Sequence, residues 1–170
     1  MTITYRDASP KDGALLGGLA RAIFIETFGP HDTLDDLTAF LAGGSDAAYA
    51  AELADPGFAV RLALAAGTPI GFCKVGPLQL PAPGAAAGAV QLYQLYVFRP
   101  WQGEGVAATL TDWAIDTARA RSAPEIWLSV FTENPRARRF YVREGFEEIA
   151  PYTFAVGSQA DEDIMCRRVL

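Results

Sequence analysis

Apolar positions follow helical spacing in the first third of this chain and afterwards fall mostly in short aliphatic and aromatic runs that are typical of strands. In the first third, Ser9 and Thr33 stand before the first two helical stretches as N-caps. Glycine paired with proline or with a second glycine ends the first two stretches. The pattern predicts a strand at Thr2–Arg6 and helices at Ser9–Phe28, Thr33–Leu41 and Ser45–Asp55.

Strand-like segments dominate the rest of the chain and are interrupted by two helical ones. A turn at Ala66–Thr68 predicts a hairpin, and Pro81–Ala89 is a glycine- and alanine-rich loop. Because antiparallel hairpins precede one strand–helix–strand–helix stretch, we expect an α/β (α+β) fold with a mixed sheet covered by helices. The predicted strands are Phe58–Ala65, Pro69–Val75, Val90–Phe98, Glu125–Phe131, Ile149–Val156 and Asp163–Val169, the last two around a Gly157-centred turn, and the helices run from Gly105 to Arg121 and from Asn134 to Arg143.

Composition narrows the class of protein. With 51% hydrophobic residues, 170 residues suffice for one core, so we expect a single domain over residues 1–170. Its net charge of −6 argues against nucleic acid and anionic lipid as partners. The polar N-terminus and the lack of a long apolar run favour the cytoplasm. Cys73 and Cys166 lack neighbouring ligands at metal-binding spacing, so we expect no metal site; the oligomeric state stays open, a homodimer included.

The segment Arg99–Leu110, which reads RPWQGEGVAATL, carries the clearest chemical signal. It lies between a predicted strand and a predicted helix, where backbone N–H groups sit at the positive end of the helix dipole. Gly103 and Gly105 remove side chains that would keep a bulky anion away. The segment therefore favours a phosphate-bearing ligand; the alternative is an ordinary glycine turn.

Two kinds of phosphate site are compatible with this segment. Residues 103–108 match the G-x-G-x-x-A dinucleotide fingerprint, and Glu125 lies about 20 residues further on. In that fingerprint the acidic residue ends the second strand, whereas Glu125 precedes the strand Ile126–Val130. A P-loop is excluded because no G-K-[ST] sequence is present.

The second kind of site is better supported by the residues. Gln102–Ala107, QGEGVA, resembles the Q/R-x-x-G-x-G/A pyrophosphate loop of the GNAT (GCN5-related) N-acetyltransferases. Asn134–Phe146, NPRARRFYVREGF, resembles the second half of that family's signature. Four arginines of this helix are candidates for the adenosine phosphates or for a solvated face, namely Arg136, Arg138, Arg139 and Arg143.

The resemblance implies a mixed, mostly antiparallel sheet with helices on both faces and two splayed strands around the coenzyme. It also implies acetyl-CoA as co-substrate and Tyr141 as general acid, because a phenol that is protonated at neutral pH can donate to a thiolate. The alternative for Tyr141 is a core aromatic beside Phe140. The implied coenzyme residues are Leu95, Tyr96 and Val97 for pantetheine, Gln102, Gly103, Glu104, Gly105, Val106 and Ala107 for the pyrophosphate, and Asn134, otherwise an N-cap, for the pantetheine arm.

The general base is the weakest point of the resemblance. Many relatives place a glutamate on the strand before the glycine segment, but this strand offers Gln91, Tyr93 and Gln94. An amine that is protonated at neutral pH must lose a proton before it attacks a thioester. The substitutes are Glu26, His31 or a chain of water molecules, and we take Glu26 as the candidate.

The predicted activity is transfer of acetyl from acetyl-CoA to a primary amine by direct attack in a ternary complex. Ile25–Phe28 and residues 154–165 resemble the Pai-type polyamine acetyltransferases, which favours a polyamine-like small molecule. The alternatives are a protein N-terminal or amino-acid acetyltransferase, and a catalytically silent acyl-CoA-binding regulator. Acidic residues of the first three helices would attract a polycation; they are Glu26, Asp32, Asp35, Asp36, Asp46 and Glu52.

Overall fold

The computed structural model describes residues 2–156 and 159–170, which form one seven-stranded sheet with helices packed on it. Short 3₁₀ turns precede the first helix and follow the fourth strand. The strands are β1 (Ile3–Asp7), β2 (Ala59–Ala65), β3 (Thr68–Pro77), β4 (Val90–Val97), β5 (Glu125–Phe131), β6 (Glu147–Val156) and β7 (Gln159–Val169). The helices are α1 (Gly13–Phe28), α2 (Leu34–Gly43), α3 (Asp46–Ala54), α4 (Val106–Ala120) and α5 (Pro135–Arg143).

The sheet has the strand order β1-β2-β3-β4-β5-β7-β6. Its neighbouring strands are antiparallel except β4 and β5, which are parallel. Within the described residues, β4 and β5 pair where Val90 faces Ile126 and Gln91 faces Trp127. Both strands continue beyond these pairs, so they separate and leave a gap in the middle of the sheet.

A bulge in β4 accounts for this separation. Lys74 of β3 pairs with Gln94, but the next residue, Val75, pairs with Leu92, so Tyr93 is an extra residue on β4. A bulge bends its strand and increases the local twist. The second half of β4 is therefore directed away from β5.

Helices cover both faces of the sheet. On one face, Leu110 of α4 packs in a cluster with Leu128 of β5. On the other face, Leu16 of α1 packs with Phe72 of β3. The predicted fold class, a mixed and mostly antiparallel sheet with helices on both faces and two splayed strands, is confirmed. Among the described residues, no helix combines the length and the apolar character needed to cross a bilayer.

The predicted elements differ from the structure mainly at their ends. β6 and β7 are longer than predicted because they pair along their whole length and satisfy each other's backbone groups. The first helical segment begins as a 3₁₀ turn, in which the backbone N–H of Ser9 donates to the Asp12 carboxylate at 2.8 Å. The predicted turn centred on Gly157 lies outside the described residues.

Candidate active site

The gap between β4 and β5 opens into a cleft of about 880 Å³. Leu95, Tyr96 and Val97 of β4 line one side of it, as the sequence resemblance implies for the pantetheine residues. β5 lines the opposite side, and α1, α5 and β7 close the remaining walls. The cleft thus brings together residues from four separate stretches of the chain, within 23–31, 92–108, 128–144 and 154–163.

The glycine turn, Gly103–Gly105, forms one end of this cleft. Gly103 and Gly105 have φ values of +93° and +80°, a left-handed conformation that strains residues with a Cβ. A Cβ at either position would meet no described atom within 4 Å, so the space in front of the turn is open. Gly105 is also the N-cap of α4, whose dipole is directed at this space. The turn therefore has the room and the polarity for an anion.

The residues around the glycine turn divide into those that line the cleft and those that hold the turn. Gln102 and Ala107 line the cleft, whereas Val106 is fully buried in the core and anchors the turn. Glu104 is exposed to solvent. The Gln102 amide donates to the carbonyl of Val97 at 2.9 Å, and its backbone N–H donates to the carbonyl of Arg99 at 3.1 Å, so Gln102 ties the turn to the end of β4.

α5 adds positive charge to the cleft. Three of its residues, Arg136, Arg139 and Arg143, line the cleft and are called here the α5 arginines. Arg138 instead donates two hydrogen bonds to Glu148, at 2.8 and 2.9 Å, and thereby ties α5 to β6. The four arginines that the sequence could not distinguish therefore divide into three at the cleft and one with a structural role.

Asn134 begins α5 and also faces the cleft. Its side-chain carbonyl accepts a hydrogen bond from the backbone N–H of Ala137 at 3.0 Å, which is the N-cap geometry. It is also one of the cleft-lining residues. The two interpretations of Asn134, helix cap and coenzyme contact, are thus compatible with one position.

The position of Tyr141 is compatible with both roles considered for it, core aromatic and general acid. Its ring packs edge-on against Phe140 and Phe146, and the residue is 9% exposed yet lines the cleft. Burial, with minor contributions from Cys73 and Cys166, raises the pKa of Tyr141 well above its usual value. The phenol is therefore protonated at neutral pH and can act as a hydrogen-bond donor.

Glu26 is engaged elsewhere. Its carboxylate accepts a hydrogen bond from the backbone N–H of Arg99 at 2.9 Å, and its carbonyl accepts from the Arg99 guanidinium at 3.1 Å. These bonds fasten α1 to the end of β4, and Glu26 is not among the described residues that line the cleft. His31 does line it, with its ring edge-on to Phe131. The role of Glu26 as a base stays a prediction, and these contacts favour a positioning role.

The acidic residues of the first three helices, which were predicted to attract a polycation, are partly engaged in ion pairs. Asp46 pairs with Arg21 at 2.7 Å, and Glu52 pairs with Lys74 at 2.7 Å. β3 therefore brings Lys74, a cation from outside this part of the sequence, against α3.

Two carboxylates of β7 line the cleft and were missed in the sequence. Asp161 and Asp163 are 8% and 7% exposed, and they share one face of the strand. The pKa of Asp163 is raised to about 6, mainly by burial. A hydrogen bond from Ser129 acts to lower this pKa, and the nearby Asp161 acts to raise it. The Asp-x-Asp spacing in a strand was the available signal. The predicted strand began at Asp163, however, so Asp161 lay outside it and the shared face of the two residues was not recognised.

The comparisons with known proteins agree with this geometry. Residues 21–146 match the acetyltransferase (GNAT) family. An uncharacterised N-acetyltransferase of Lactobacillus delbrueckii subsp. lactis is 23% identical over 163 residues, which cover 95% of this chain and 94% of that protein. The aminoalkylphosphonate N-acetyltransferase of Salmonella typhimurium is 34% identical over 101 residues, 59% of this chain and 64% of that protein.

A solved structure shows the same fold. The PaiA N-acetyltransferase of Thermoplasma acidophilum, determined in complex with coenzyme A, superposes with a TM-score of 0.80 over 100% of both chains at 19% identity. At that identity the likeness establishes the fold alone. Since the family match covers well over half of the sequence, the predicted family, enzyme class and co-substrate are confirmed, and the chain belongs to the GNAT family of acetyl-CoA-dependent N-acetyltransferases.

Proposed function

We propose that this protein transfers the acetyl group of acetyl-CoA to a primary amine, with a polyamine-like small molecule as the favoured acceptor. The observation that carries the proposal is a single cleft in which the glycine turn, Tyr141 and two buried carboxylates converge at the gap between β4 and β5. An acetyl transfer by direct attack needs a place for the coenzyme, a donor for its sulfur and a surface for the amine. The cleft supplies one candidate for each.

The coenzyme is proposed to lie between β4 and the glycine turn. Because β4 diverges from β5 after Gln91, the backbone of Leu95–Val97 can bond the amides of pantetheine as a neighbouring strand would. The open turn and the dipole of α4 suit the pyrophosphate. The α5 arginines carry positive charge toward the phosphates, and Asn134 contacts the pantetheine arm.

Tyr141 is proposed as the general acid. The amine nitrogen forms a bond to the thioester carbon, and the carbon–sulfur bond then breaks. The leaving thiolate gains stability from a hydrogen-bond donor that is protonated at neutral pH, and the buried phenol of Tyr141 is such a donor. No covalent enzyme intermediate is required in this scheme.

The acceptor is proposed to be a cation. Asp161 and Asp163 place negative charge beside the gap, which attracts an ammonium group. An amino acid or an aminoalkylphosphonate would bring its own negative charge toward them. This contrast favours a polyamine over an amino-acid acceptor, and the presence of a proton donor at Tyr141 disfavours a catalytically silent regulator.

We also propose that residues 1–170 act as a single acetyltransferase domain in the cytoplasm. The sheet from β1 to β7 is continuous and includes strands from both ends of the chain. Both cysteines, Cys73 and Cys166, are buried free thiols, as is usual in a reducing compartment.

An amine panel tests the function. Release of coenzyme A thiol would be measured with spermidine, spermine and putrescine, and with glycine, an alanine-initiated peptide and aminomethylphosphonate. We expect the highest kcat/KM with the polyamines, and a KM that rises with salt because salt screens the attraction. A higher kcat/KM with peptides or amino acids would overturn the acceptor assignment. Binding of acetyl-CoA without turnover of any amine would support the silent regulator.

A further inference from the structure

The structure leaves the cleft without the carboxylate base that the predicted positions would provide. Within the described chain, β4 carries no carboxylate, since its polar residues are Gln91, Tyr93, Gln94 and Tyr96, and Glu26 is fastened to Arg99. An acceptor ammonium still has to lose a proton before it attacks. A carboxylate elsewhere in the cleft can accept that proton.

We propose that Asp163 of β7, held by the hydroxyl of Ser129, is the general base of the transfer. This inference rests on the proposed function and names a catalytic residue for it. Asp163 lines the cleft, and its Cα partners are Phe131 on β5 and Tyr152 on β6. Ser129 lies two residues before Phe131 and therefore on the same face as Asp163, where it donates to the carboxylate.

The position of Asp163 relative to Tyr141 suits an acid and a base of one reaction. Leu128 and Val130 of β5 face α4 and belong to the same core cluster as Tyr141. Ser129 and Phe131 alternate with them, so Asp163 lies on the opposite face of the sheet. The gap between β4 and β5 joins the two faces. A thioester in the gap would have its sulfur toward Tyr141 and its open carbonyl face toward Asp163.

The surroundings of Asp163 shift its pKa toward the value that suits a general base. Burial raises its pKa to about 6, closer to that of a base operating at neutral pH than an exposed aspartate. The carboxylate remains ionised at pH 7 and can accept a proton. The titratable groups that interact with Asp163 are Asp161 and Cys166 on β7 and Tyr96 on β4. Tyr152 of β6 is its Cα partner, His31 lines the same cleft, and Asp32 interacts with Asp161.

The protons balance in this scheme. Asp163 takes one proton from the ammonium and releases it to solvent, and the neutral nitrogen bonds to the thioester carbon. The carbon–sulfur bond breaks, and the sulfur receives the hydroxyl proton of Tyr141. The second proton lost from the attacking nitrogen replaces the one that Tyr141 donated. The products are the N-acetylated amine, coenzyme A thiol and one proton.

The test is the pH dependence of Asp163→Asn, which keeps the shape and an acceptor for Ser129 but cannot take the proton. We expect kcat with spermidine at pH 7 to fall by about 100-fold, within the range of general-base contributions. The defect should shrink as the pH approaches the pKa of the amine, because the amine is then already neutral. The acidic limb of the wild-type pH profile, near pH 6, should disappear.

A control variant and a rival variant each remove one negative charge without touching Asp163. The control is Glu162→Gln, which changes the exposed neighbour of Asp163 on β7. The rival is Glu26→Gln, which changes the carboxylate at Arg99 while keeping an acceptor for its N–H. We expect Glu162→Gln to stay within threefold of the wild-type kcat, and we expect Glu26→Gln to keep the acidic limb that Asp163→Asn loses. Acetyl-CoA affinity, measured by calorimetry, should be unchanged in all three variants, which shows that Asp163→Asn is folded.

The outcomes separate the two proposals. If Asp163→Asn retains kcat within threefold of wild type, or loses the same factor at every pH, or loses activity through KM alone, Asp163 is not the base. A loss in Glu26→Gln as large as that in Asp163→Asn would also overturn the proposal. An active wild-type enzyme in these cases leaves the proposed function intact, whereas a wild-type enzyme inactive with every amine would overturn both.

Discussion

The two ends of the cleft are built in opposite ways. The glycine turn is one contiguous segment whose features are backbone conformation and open space, with φ values of +93° and +80° at Gly103 and Gly105. The carboxylate side, Ser129 with Asp161 and Asp163, is assembled from two strands and depends on buried charge. A contiguous backbone site is visible in the sequence and is intolerant of a side chain at Gly103 or Gly105, where φ is positive. A site of buried charge appears when the strands pair, and its properties change with pH and salt.

The largest expected effect is at the glycine turn. Gly105→Val places a branched side chain in the space in front of the turn, so we expect acetyl-CoA affinity to fall at least about 100-fold, equivalent to about 2.8 kcal/mol. The measurement is calorimetric titration. Gly84→Val is the matched control, because Gly84 has φ +70° and open space around it but does not line the cleft. If the two variants bind acetyl-CoA equally well, the coenzyme does not lie on the glycine turn.

Tyr141→Phe tests the proton donor that lies between the glycine turn and the carboxylate side. The ring keeps its packing against Phe140 and Phe146 but loses the proton donor. We expect kcat to fall about 10- to 100-fold with acetyl-CoA affinity nearly unchanged. Tyr5→Phe on β1, remote from the cleft, is the control and should leave kcat unchanged. A kcat within twofold of wild type would make Tyr141 a packing residue.

The buried charge of Asp163 should cost stability, in contrast to the uncharged glycine turn. Its pKa in the folded state, about 6, exceeds the ordinary value near 3.9, so the folded protein binds the proton more tightly than the unfolded chain. Wild-type stability therefore falls as pH rises from about 4 to 6 and stays low above that. We expect Asp163→Asn to be more stable than wild type by about 1–3 kcal/mol at pH 7.5, and equal at pH 4. Denaturant unfolding at both pH values measures this; a variant less stable at pH 7.5 would contradict it.

The smallest expected effect concerns Asp161. Removing its charge weakens the attraction of a polycation, so Asp161→Asn should raise the KM for spermidine about three- to tenfold with kcat little changed. The difference should narrow in 0.5 M salt, where the screening length falls to about 4 Å. Asp46→Asn is the control, since Asp46 is half-exposed and paired with Arg21. An equal rise in KM in both variants would mean that overall charge, and not the carboxylate side, attracts the acceptor.

Most of the fold follows from local sequence patterns. Glu125–Phe131 was predicted with its observed bounds, and Thr33 and Ser45 cap their helices through hydrogen bonds to Asp36 and Ala48. These features depend on residues within three or four positions of one another. The strand ends were less predictable: β7 begins at Gln159 because β6 pairs with it, which no local signal encodes.

Within the active site, too, some features follow from local sequence patterns and others from contacts between distant residues. The sequence by itself predicted α5 and the glycine turn, the latter because glycine is the residue that adopts a left-handed backbone without strain. The tertiary structure decided which charges reach the cleft. It fastened Glu26 to Arg99, paired Glu52 with Lys74, and brought Asp163 beside Ser129. The role of a carboxylate depends on its burial and partners, and these are set by contacts between residues that are distant in the chain.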